Sequence, residues 1–190
     1  MASTYPTSLD AFTNPTSSDL LTSPSHSQQH SDINDAMEAV QTKLAIGNTV
    51  IGTYTAYTPT WLYGVTIGNG TFSSAYARVN DLTHYYGTFT FGSTSAIASG
   101  LVTISLPTTP HASITYSSFP GFNSSQVCFY DTSGFLTLYG NAQINSATGA
   151  RIYVNLASTT YSRLEVLSST VPFTWATGDL IQWNMTYRTA

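Results

Sequence analysis

Two histidines, His26 and His30, stand four residues apart in the sequence His-Ser-Gln-Gln-His. On a helix this spacing places both imidazoles on one face, where they can share a metal ion. We predict, however, that the helix of this region begins only at Ser31, which leaves His26 outside it. Two interpretations remain open: the pair is a polar entry to the helix with His30 beside its cap, or one histidine from each of three chains forms a ring that holds a metal ion or ordered water.

The carboxylates of the strand-rich region offer no evident catalytic pair. Glycoside hydrolysis needs two facing carboxyl groups, one of them with a raised pKa. Asp131 and Asp179 stand in turn-like sequences, where aspartate is common because it bonds the local backbone. The other carboxylates there are Asp81 and Glu165, and the sequence has no Gly-rich phosphate loop, Gly-x-Ser-x-Gly or His-Glu-x-x-His motif. We therefore predict that the protein is not an enzyme and has no catalytic residue, cofactor or metal of its own.

The remaining reactive side chains have structural interpretations. Cys128 is the single cysteine and lies in Gln-Val-Cys-Phe-Tyr, which alternates as a strand does, so we predict a buried structural thiol. His84 and His111 are predicted to be residues at strand edges, with no partner visible in the sequence.

Aromatic side chains are abundant and allow two interpretations. Stacking on sugar rings would need aromatic faces beside hydroxyl groups, and the sequence supplies both. In a β-rich domain, however, alternating aromatic residues are mostly core and cross-strand pairs, and this is the interpretation we favour. The candidates are Trp61, Trp175, Trp183, Tyr57, Tyr63, Tyr85, Tyr86 and Tyr116.

The composition indicates a β-rich protein whose surface is hydroxylic rather than charged. Only 7% of the 190 residues are charged, 13% are aromatic, and the net charge is −4. With five Lys and Arg in the whole chain there is no basic patch, so nucleic acid is not an expected partner. We also expect no signal peptide and no membrane insertion, because the N-terminus lacks a basic region followed by an apolar one and no apolar run could span a bilayer.

Residues 31–47 are predicted to form a helix that associates with copies of itself. Ile33, Met37, Val40 and Leu44 are spaced by four, three and four residues, which is the d-a-d-a pattern of a heptad. Ser31 is the predicted N-terminal cap, and a glycine at position 47 is the predicted stop. Two heptads are marginal in isolation, so the helix either docks on its own body or meets other copies.

The chain divides into four predicted segments: an extended attachment arm at 1–30, the oligomerisation helix at 31–47, a connector at 48–53 and a β-sandwich head at 54–190. The arm is rich in Ser, Thr and Pro and is either a disordered tail or an anchor that lays Tyr5, Leu9 and Phe12 into grooves of a partner. The head is predicted to be an antiparallel, jelly-roll-like sandwich. Its strands are predicted near residues 51–57, 71–79, 84–91, 100–106, 111–117, 126–131, 134–139, 150–157 and 180–188.

Several turns are also predicted. Gly68-Asn69-Gly70 is a turn signal, and in Asp131-Thr132-Ser133-Gly134 the glycine is predicted to take the left-handed position of a tight hairpin.

The N-terminal quarter resembles the attachment region of minor tail, fibre and head-decoration proteins of tailed bacteriophages, notably those infecting actinobacteria. The resemblance lies in Tyr5-Pro-Thr-Ser-Leu-Asp10, Phe12-Thr-Asn-Pro15 and His26-Ser-Gln-Gln-His-Ser-Asp-Ile-Asn-Asp-Ala36. Further on, Tyr57-Thr-Pro-Thr-Trp61, Gly68-Asn-Gly-Thr71 and Ser105-Leu-Pro107 are similar to the β-rich domain that often follows. The resemblance implies a homotrimer without enzymatic activity, which docks on the particle through its N-terminal segment and projects its β domain outward.

Two functional hypotheses follow. In the first, the chain is a structural component of a phage virion, made in the host cytoplasm and exposed on the particle, with capsid or tail proteins as partners. In the second, the head is a receptor-binding module that recognises host-surface glycan.

Overall fold

A computed structural model describes residues 25–44, 53–98, 100–112, 124–157 and 162–190. The chain divides into two compact units, Met1–Thr53 and Tyr54–Ala190. The described part of the first unit is a single helix, and the second unit is built from strands. The predicted class, mainly β with antiparallel pairing and one helix, is confirmed for the described residues. Within those residues no helix is both long and apolar enough to cross a membrane.

Helix α1 covers His26–Leu44 and so begins five residues before the predicted start. Ser25 is its cap: the Gln28 amide donates to Ser25 Oγ at 3.2 Å, and the Gln29 amide donates to the Ser25 carbonyl at 3.1 Å. Ser-x-x-Gln at residues 25–28 is the sequence pattern of a capping box, in which Ser accepts the third helical amide. The predictions that Ser31 caps the helix and that His26 is not helical are therefore wrong. The predicted stop at position 47 lies outside the described residues.

The described residues of the second unit form twelve strands, several of them very short. Their bounds are β1 Thr55–Ala56, β2 Trp61–Tyr63, β3 Val65–Thr66, β4 Thr71–Val79, β5 Leu82–Thr90, β6 Ala96–Ile97, β7 Thr103–Ser105, β8 Ser124–Asp131, β9 Leu136–Ile144, β10 Gly149–Ala157, β11 Ser162–Val166 and β12 Leu180–Arg188. Ten of them form one sheet in the order β1-β4-β5-β12-β8-β9-β10-β7-β2, with β11 also paired to β10, and β3 pairs with β6. All of these pairings are antiparallel.

The long strands agree with the sequence prediction better than the short ones do. β4 and β12 have the predicted bounds, and β5, β8, β9 and β10 overlap their predictions. Strands β2, β3, β6 and β11 were not predicted, because two to five residues are too few to show a clear alternation. The strand predicted at 111–117 lies mostly outside the described residues, and Ala112 within it belongs to a turn.

One predicted turn is confirmed and the other is corrected. Gly68 has a φ of +55° in the turn between β3 and β4, which suits a residue without a Cβ atom. In the β8–β9 hairpin the left-handed residue is Phe135, with a φ of +50°, and not Gly134. A Cβ at Gly134 would lie 2.7 Å from Asp131 Oδ2, so a larger residue there would displace this carboxylate.

The sheet curls so that one of its faces encloses the core. Alternate residues of β5, β8 and β12 point inward, and Tyr85, Phe89, Phe129, Ile181 and Met185 are fully buried. The curl brings β2 from one end of the strand order against strands near the other end: Trp61 packs on Phe72 and Phe89, with ring centroids 5.9 and 5.6 Å apart.

The segment after β1 joins the two ends of the curled sheet. The Tyr57 amide donates to the Ser74 carbonyl of β4 at 3.1 Å, and the Tyr57 hydroxyl lies 2.9 Å from Ser105 Oγ of β7. Because Tyr57 makes both hydrogen bonds, this one residue links β4 to β7.

Candidate functional site

The corrected start of α1 lengthens the apolar row predicted from the sequence. With His26 in the helix, the heptad positions d and a are occupied alternately at steps of four, three, four, three and four residues. The seam row, as we call it, consists of His26, His30, Ile33, Met37, Val40 and Leu44.

Two apolar side chains of the seam row are exposed to solvent. Ile33 is 56% exposed and Met37 is 55% exposed, while Val40 is half-buried. Two large apolar side chains exposed on one helix face make the seam row a candidate interaction surface. Leu44 ends the helix, but its side chain lies outside the description.

The two histidines at the start of the seam row are in direct contact. His30 Nε2 lies 3.0 Å from His26 Nε2, and the rings meet edge to face with their centroids 4.5 Å apart. A hydrogen bond at this distance needs one protonated and one unprotonated nitrogen. The structure thus brings together the pair that the sequence singled out, on a regular helix.

The predicted anchoring residues Tyr5, Leu9 and Phe12 lie outside the described residues, as does Tyr116. Their roles remain predictions.

Most of the candidate sugar-stacking aromatics belong to the core. Trp183 and Tyr85 are buried, and burial raises the pKa of the Tyr85 hydroxyl far above its ordinary value. Three further candidates are half-buried and pack against the core, namely Trp61, Trp175 and Tyr57. Only Tyr63 and Tyr86 of the described candidates are well exposed, at 71% and 41%.

The outward face of the central strands carries amides, hydroxyls and tyrosines. In one row across the sheet, Tyr86 of β5 opposes Asn184 of β12, which opposes Gln126 of β8. In the next row, Gln182 opposes Cys128, which opposes Tyr139, a side chain 54% exposed. We call these two rows the amide–tyrosine face; its members are Tyr86, Gln126, Cys128, Tyr139, Gln182 and Asn184, none of which carries a formal charge.

His84 forms two hydrogen bonds at one edge of the amide–tyrosine face. Its Nε2 lies 2.7 Å from Asn184 Oδ1, and its Nδ1 lies 2.7 Å from the Tyr54 hydroxyl. An amide oxygen only accepts, so Nε2 donates the hydrogen bond to Asn184. The sequence showed no partner for His84, because the two residues it bonds are 30 and 100 positions away.

Each carboxylate of the second unit has a structural partner. Asp81 Oδ2 lies 2.7 Å from Arg188 Nε, and this hydrogen bond is the main reason why the Asp81 pKa is lowered. Glu165 pairs with Arg163 at 3.0 Å. The fully buried Asp179 accepts from the Thr132 amide at 3.0 Å, the Thr132 hydroxyl at 2.9 Å and the Ala176 amide at 2.7 Å.

Asp131 holds its own hairpin turn. Its Oδ1 accepts from the amides of Gly134 and Ser133, each at 2.8 Å, and from the Ser133 hydroxyl at 2.7 Å. The Gly134 amide is the largest cause of a lowered Asp131 pKa. These local bonds agree with the turn role predicted from the sequence for Asp131.

Two other kinds of reactive site are a nucleophilic cysteine and a metal-binding group of side chains. Cys128 is half-buried, and burial raises the pKa of its thiol, which disfavours the reactive thiolate. Within residues 25–44, 53–98, 100–112, 124–157 and 162–190, no group of three or more His, Cys, Asp or Glu side chains could hold a metal ion.

Comparison of the chain with protein-family models, with curated proteins and with solved structures found no match.

Proposed function

We propose that this chain is a non-enzymatic structural component of a tailed-phage virion. It is a homotrimeric short fibre, spike or decoration protein, anchored to capsid or tail proteins by residues 1–30. Its exposed head is residues 54–190, whose curled sheet we take to be a jelly-roll-like sandwich. The resemblance of the N-terminal quarter to phage attachment regions supports the particle location, and the exposed seam row carries the proposal of self-association.

Self-association is favoured because copies of the same helix fit the seam row. Burying a Met or Ile side chain contributes about 1.5–3 kcal/mol, and both Ile33 and Met37 remain more than half exposed in the single chain. A strict a/d row is narrower than the stripe of a helix that lies on a globular body and is typical of helices that pair with each other. The flanking residues are Ala36 and Lys43 at position g and Asn34 and Gln41 at position e, and they offer little charge pairing to set the choice of partner.

The trimer also suits particle attachment. Three arms on one trimer bind together, so that weak individual contacts of Tyr5, Leu9 and Phe12 would add up to a stable anchor through effective concentration. Removing residues 1–29 is expected to abolish incorporation into particles, whereas decoration of particles by the shortened protein would contradict an anchoring role for the arm.

The solution mass tests the self-association directly. Light scattering on the full chain is expected to give three times the 20.4 kDa monomer. Met37→Asp places a charge in the seam of every helix and should reduce the mass to that of one chain, while leaving the head folded. Ser31→Asp adds the same charge at an exposed position outside the seam row and should leave the mass unchanged. An unchanged mass for Met37→Asp would refute the seam.

A second function, binding of host-surface glycan, is favoured by the amide–tyrosine face. Exposed tyrosine rings can stack on the apolar faces of sugars, and side-chain amides offer both donors and acceptors to sugar hydroxyls. The absence of formal charge on these rows fits a neutral polysaccharide rather than an ionic ligand.

Binding of the full chain to purified host cell-wall polysaccharide tests this second function. Asn184→Ala and Tyr86→Ala are expected to weaken binding, while Phe135→Ala removes an aromatic that is 82% exposed at a hairpin tip and serves as the control. Equal binding by all three variants would place the site elsewhere, and the lack of binding by the unaltered chain would leave the head a purely structural element.

A further inference from the structure

We propose that His26 and His30 form a binding site for a divalent transition-metal ion, shared between copies of the chain at the start of the helix seam. The inference rests on the proposed self-association. It adds to that proposal a ligand and a reason why two polar residues continue an otherwise apolar row.

The distance between the two imidazoles suits a common metal ion. Zinc–nitrogen bonds are about 2.0–2.1 Å long, so that two nitrogens on one ion lie about 3.3 Å apart at a tetrahedral angle and about 2.9 Å apart at a right angle. His26 Nε2 and His30 Nε2 are 3.0 Å apart, within this range. The two nitrogens now share a hydrogen bond, so binding of the ion displaces the proton between them and turns both lone pairs toward the metal.

The chemistry of the ligands selects the class of metal. Neutral imidazole is a ligand for Zn²⁺, Ni²⁺ and Cu²⁺, whereas Mg²⁺ and Ca²⁺ prefer oxygen. Two histidines at i and i+4 on a helix are a known arrangement for zinc. The positive end of the helix dipole disfavours a cation, but this effect fades within the first turn, and His30 lies beyond it.

The heptad register places the pair at the interface between copies. His26 occupies position d and His30 position a, on the same face as Ile33 and Met37. A helix that began at Ser31, as the sequence predicted, would leave this face without the histidines. In a trimer three such pairs bring six imidazoles to the axis, which is enough for one six-coordinate ion shared by the three chains.

Other copies are needed to complete the site. Among the described residues no third His, Cys, Asp or Glu joins the pair, and two protein ligands alone hold a metal weakly. Polar residues at seam positions fix the register of paired helices at a cost in stability. Coordination of one metal ion by several chains would offset this loss of stability, because it adds a bond between the copies.

The test uses the full chain after removal of metal by a chelator. Titration with ZnCl₂ and with NiCl₂ is followed by calorimetry and by light scattering. The expected result is binding of less than one ion per chain, together with a tighter trimer, because a ligand that binds only the assembled state stabilises it. The double substitution His26→Gln and His30→Gln should weaken binding by roughly 100-fold, since even changes outside the metal ligands cost about 10–100-fold.

Two controls separate the site from adventitious binding. The double substitution His84→Gln and His111→Gln removes the same number of imidazoles from the second unit and should leave the binding unchanged. Met37→Asp keeps both seam histidines but disrupts the association, and should lose the shared binding. Equal metal affinity in the unaltered chain and in the His26→Gln/His30→Gln variant would overturn the site.

The outcome distinguishes this inference from the proposed function. A trimer that forms without metal and takes up none overturns the metal site and leaves the proposed association intact. A single chain that binds one ion and stays monomeric overturns the shared site together with the association. Substoichiometric binding that tightens the trimer supports both.

Discussion

The apolar side chains of the helix and of the sheet differ in their exposure to solvent. Phe129 and Ile181 in the sheet are fully buried, whereas Ile33 and Met37 on the helix are more than half exposed. The sheet encloses its own hydrophobic face by curling, and its two ends are joined through Tyr57. Burial of an apolar helix face needs a second layer of structure. Among the described residues, the sheet thus buries its large apolar side chains, while Ile33 and Met37 of the helix stay exposed, and this exposure is the basis of the proposed association.

Separating the two regions is expected to give the largest effect. A peptide of residues 25–44 should lose most of its helix content at low concentration, because short helices are marginal in water without tertiary contacts. Residues 54–190 produced alone should keep their cooperative unfolding. Circular dichroism measures both, and helix content of the peptide that rises with concentration supports self-association. A peptide that is fully helical when dilute would contradict the proposed dependence on a partner.

Within the β8–β9 hairpin, two phenylalanines sharpen the comparison between buried and exposed residues. Phe129→Ala is expected to lower the free energy of unfolding by about 3–5 kcal/mol, since a buried ring leaves a cavity. Phe135→Ala removes a ring that is 82% exposed and should change it by less than about 0.5 kcal/mol. Urea unfolding of the full chain measures both changes, and similar losses would mean that the hairpin tip is covered in solution.

The buried carboxylate of Asp179 should matter less than Phe129. Asp179→Ala leaves the amides of Thr132 and Ala176 without their acceptors, which should cost about 2–3 kcal/mol. Asp179→Asn keeps Oδ1 for Thr132 but replaces the oxygen that accepts from Ala176, so an intermediate loss is expected. Urea unfolding measures the series, and equal stability of the Asn variant and the original chain would argue against the Ala176 bond.

The smallest expected effect is an acid transition of the turn held by Asp131. Hydrogen bonds from the Gly134 amide and from Ser133 lower the Asp131 pKa below its ordinary 3.8. A carboxyl whose pKa is lower in the folded state contributes stability above its unfolded pKa and loses it as the pH falls through the folded pKa.

Stability of the original chain should therefore fall more steeply below about pH 4 than that of Asp131→Asn. Thermal midpoints measured from pH 6 to pH 2.5 check this. Parallel curves for the two proteins would show that the turn bonds are too solvent-exposed to couple to unfolding. Asp81, whose pKa is lowered mainly by Arg188, provides the background slope common to both.

Much of the fold could be predicted from the sequence, where a local pattern is long enough. β12 has its predicted bounds because its nine residues alternate between buried and more exposed side chains. β4 has its predicted bounds because it begins directly after the Gly68-Asn69-Gly70 turn signal. The early start of α1 could have been found from Ser25-x-x-Gln28, which is a capping signal. The left-handed Phe135 could not, because a glycine stands beside it and the hydrogen bonds of Asp131 decide which residue turns.

The candidate sites depended more strongly on tertiary structure. The seam row was visible in the sequence, since its heptad spacing is local, but its exposure was not. The amide–tyrosine face was not visible, because Tyr86, Asn184 and Gln126 come from three strands whose neighbours are set by the order of the sheet.

The sequence by itself determined the mainly-β class, the presence of a helix and the spacing of its apolar row, because these depend on side chains only a few positions apart. The tertiary structure alone decided that Trp183 is buried and that His84 is hydrogen-bonded to both Tyr54 and Asn184. It also decided that Ile33 and Met37 are more than half exposed. Those outcomes depend on how the sheet curls and which distant strands become neighbours, and no local pattern in the chain records that arrangement.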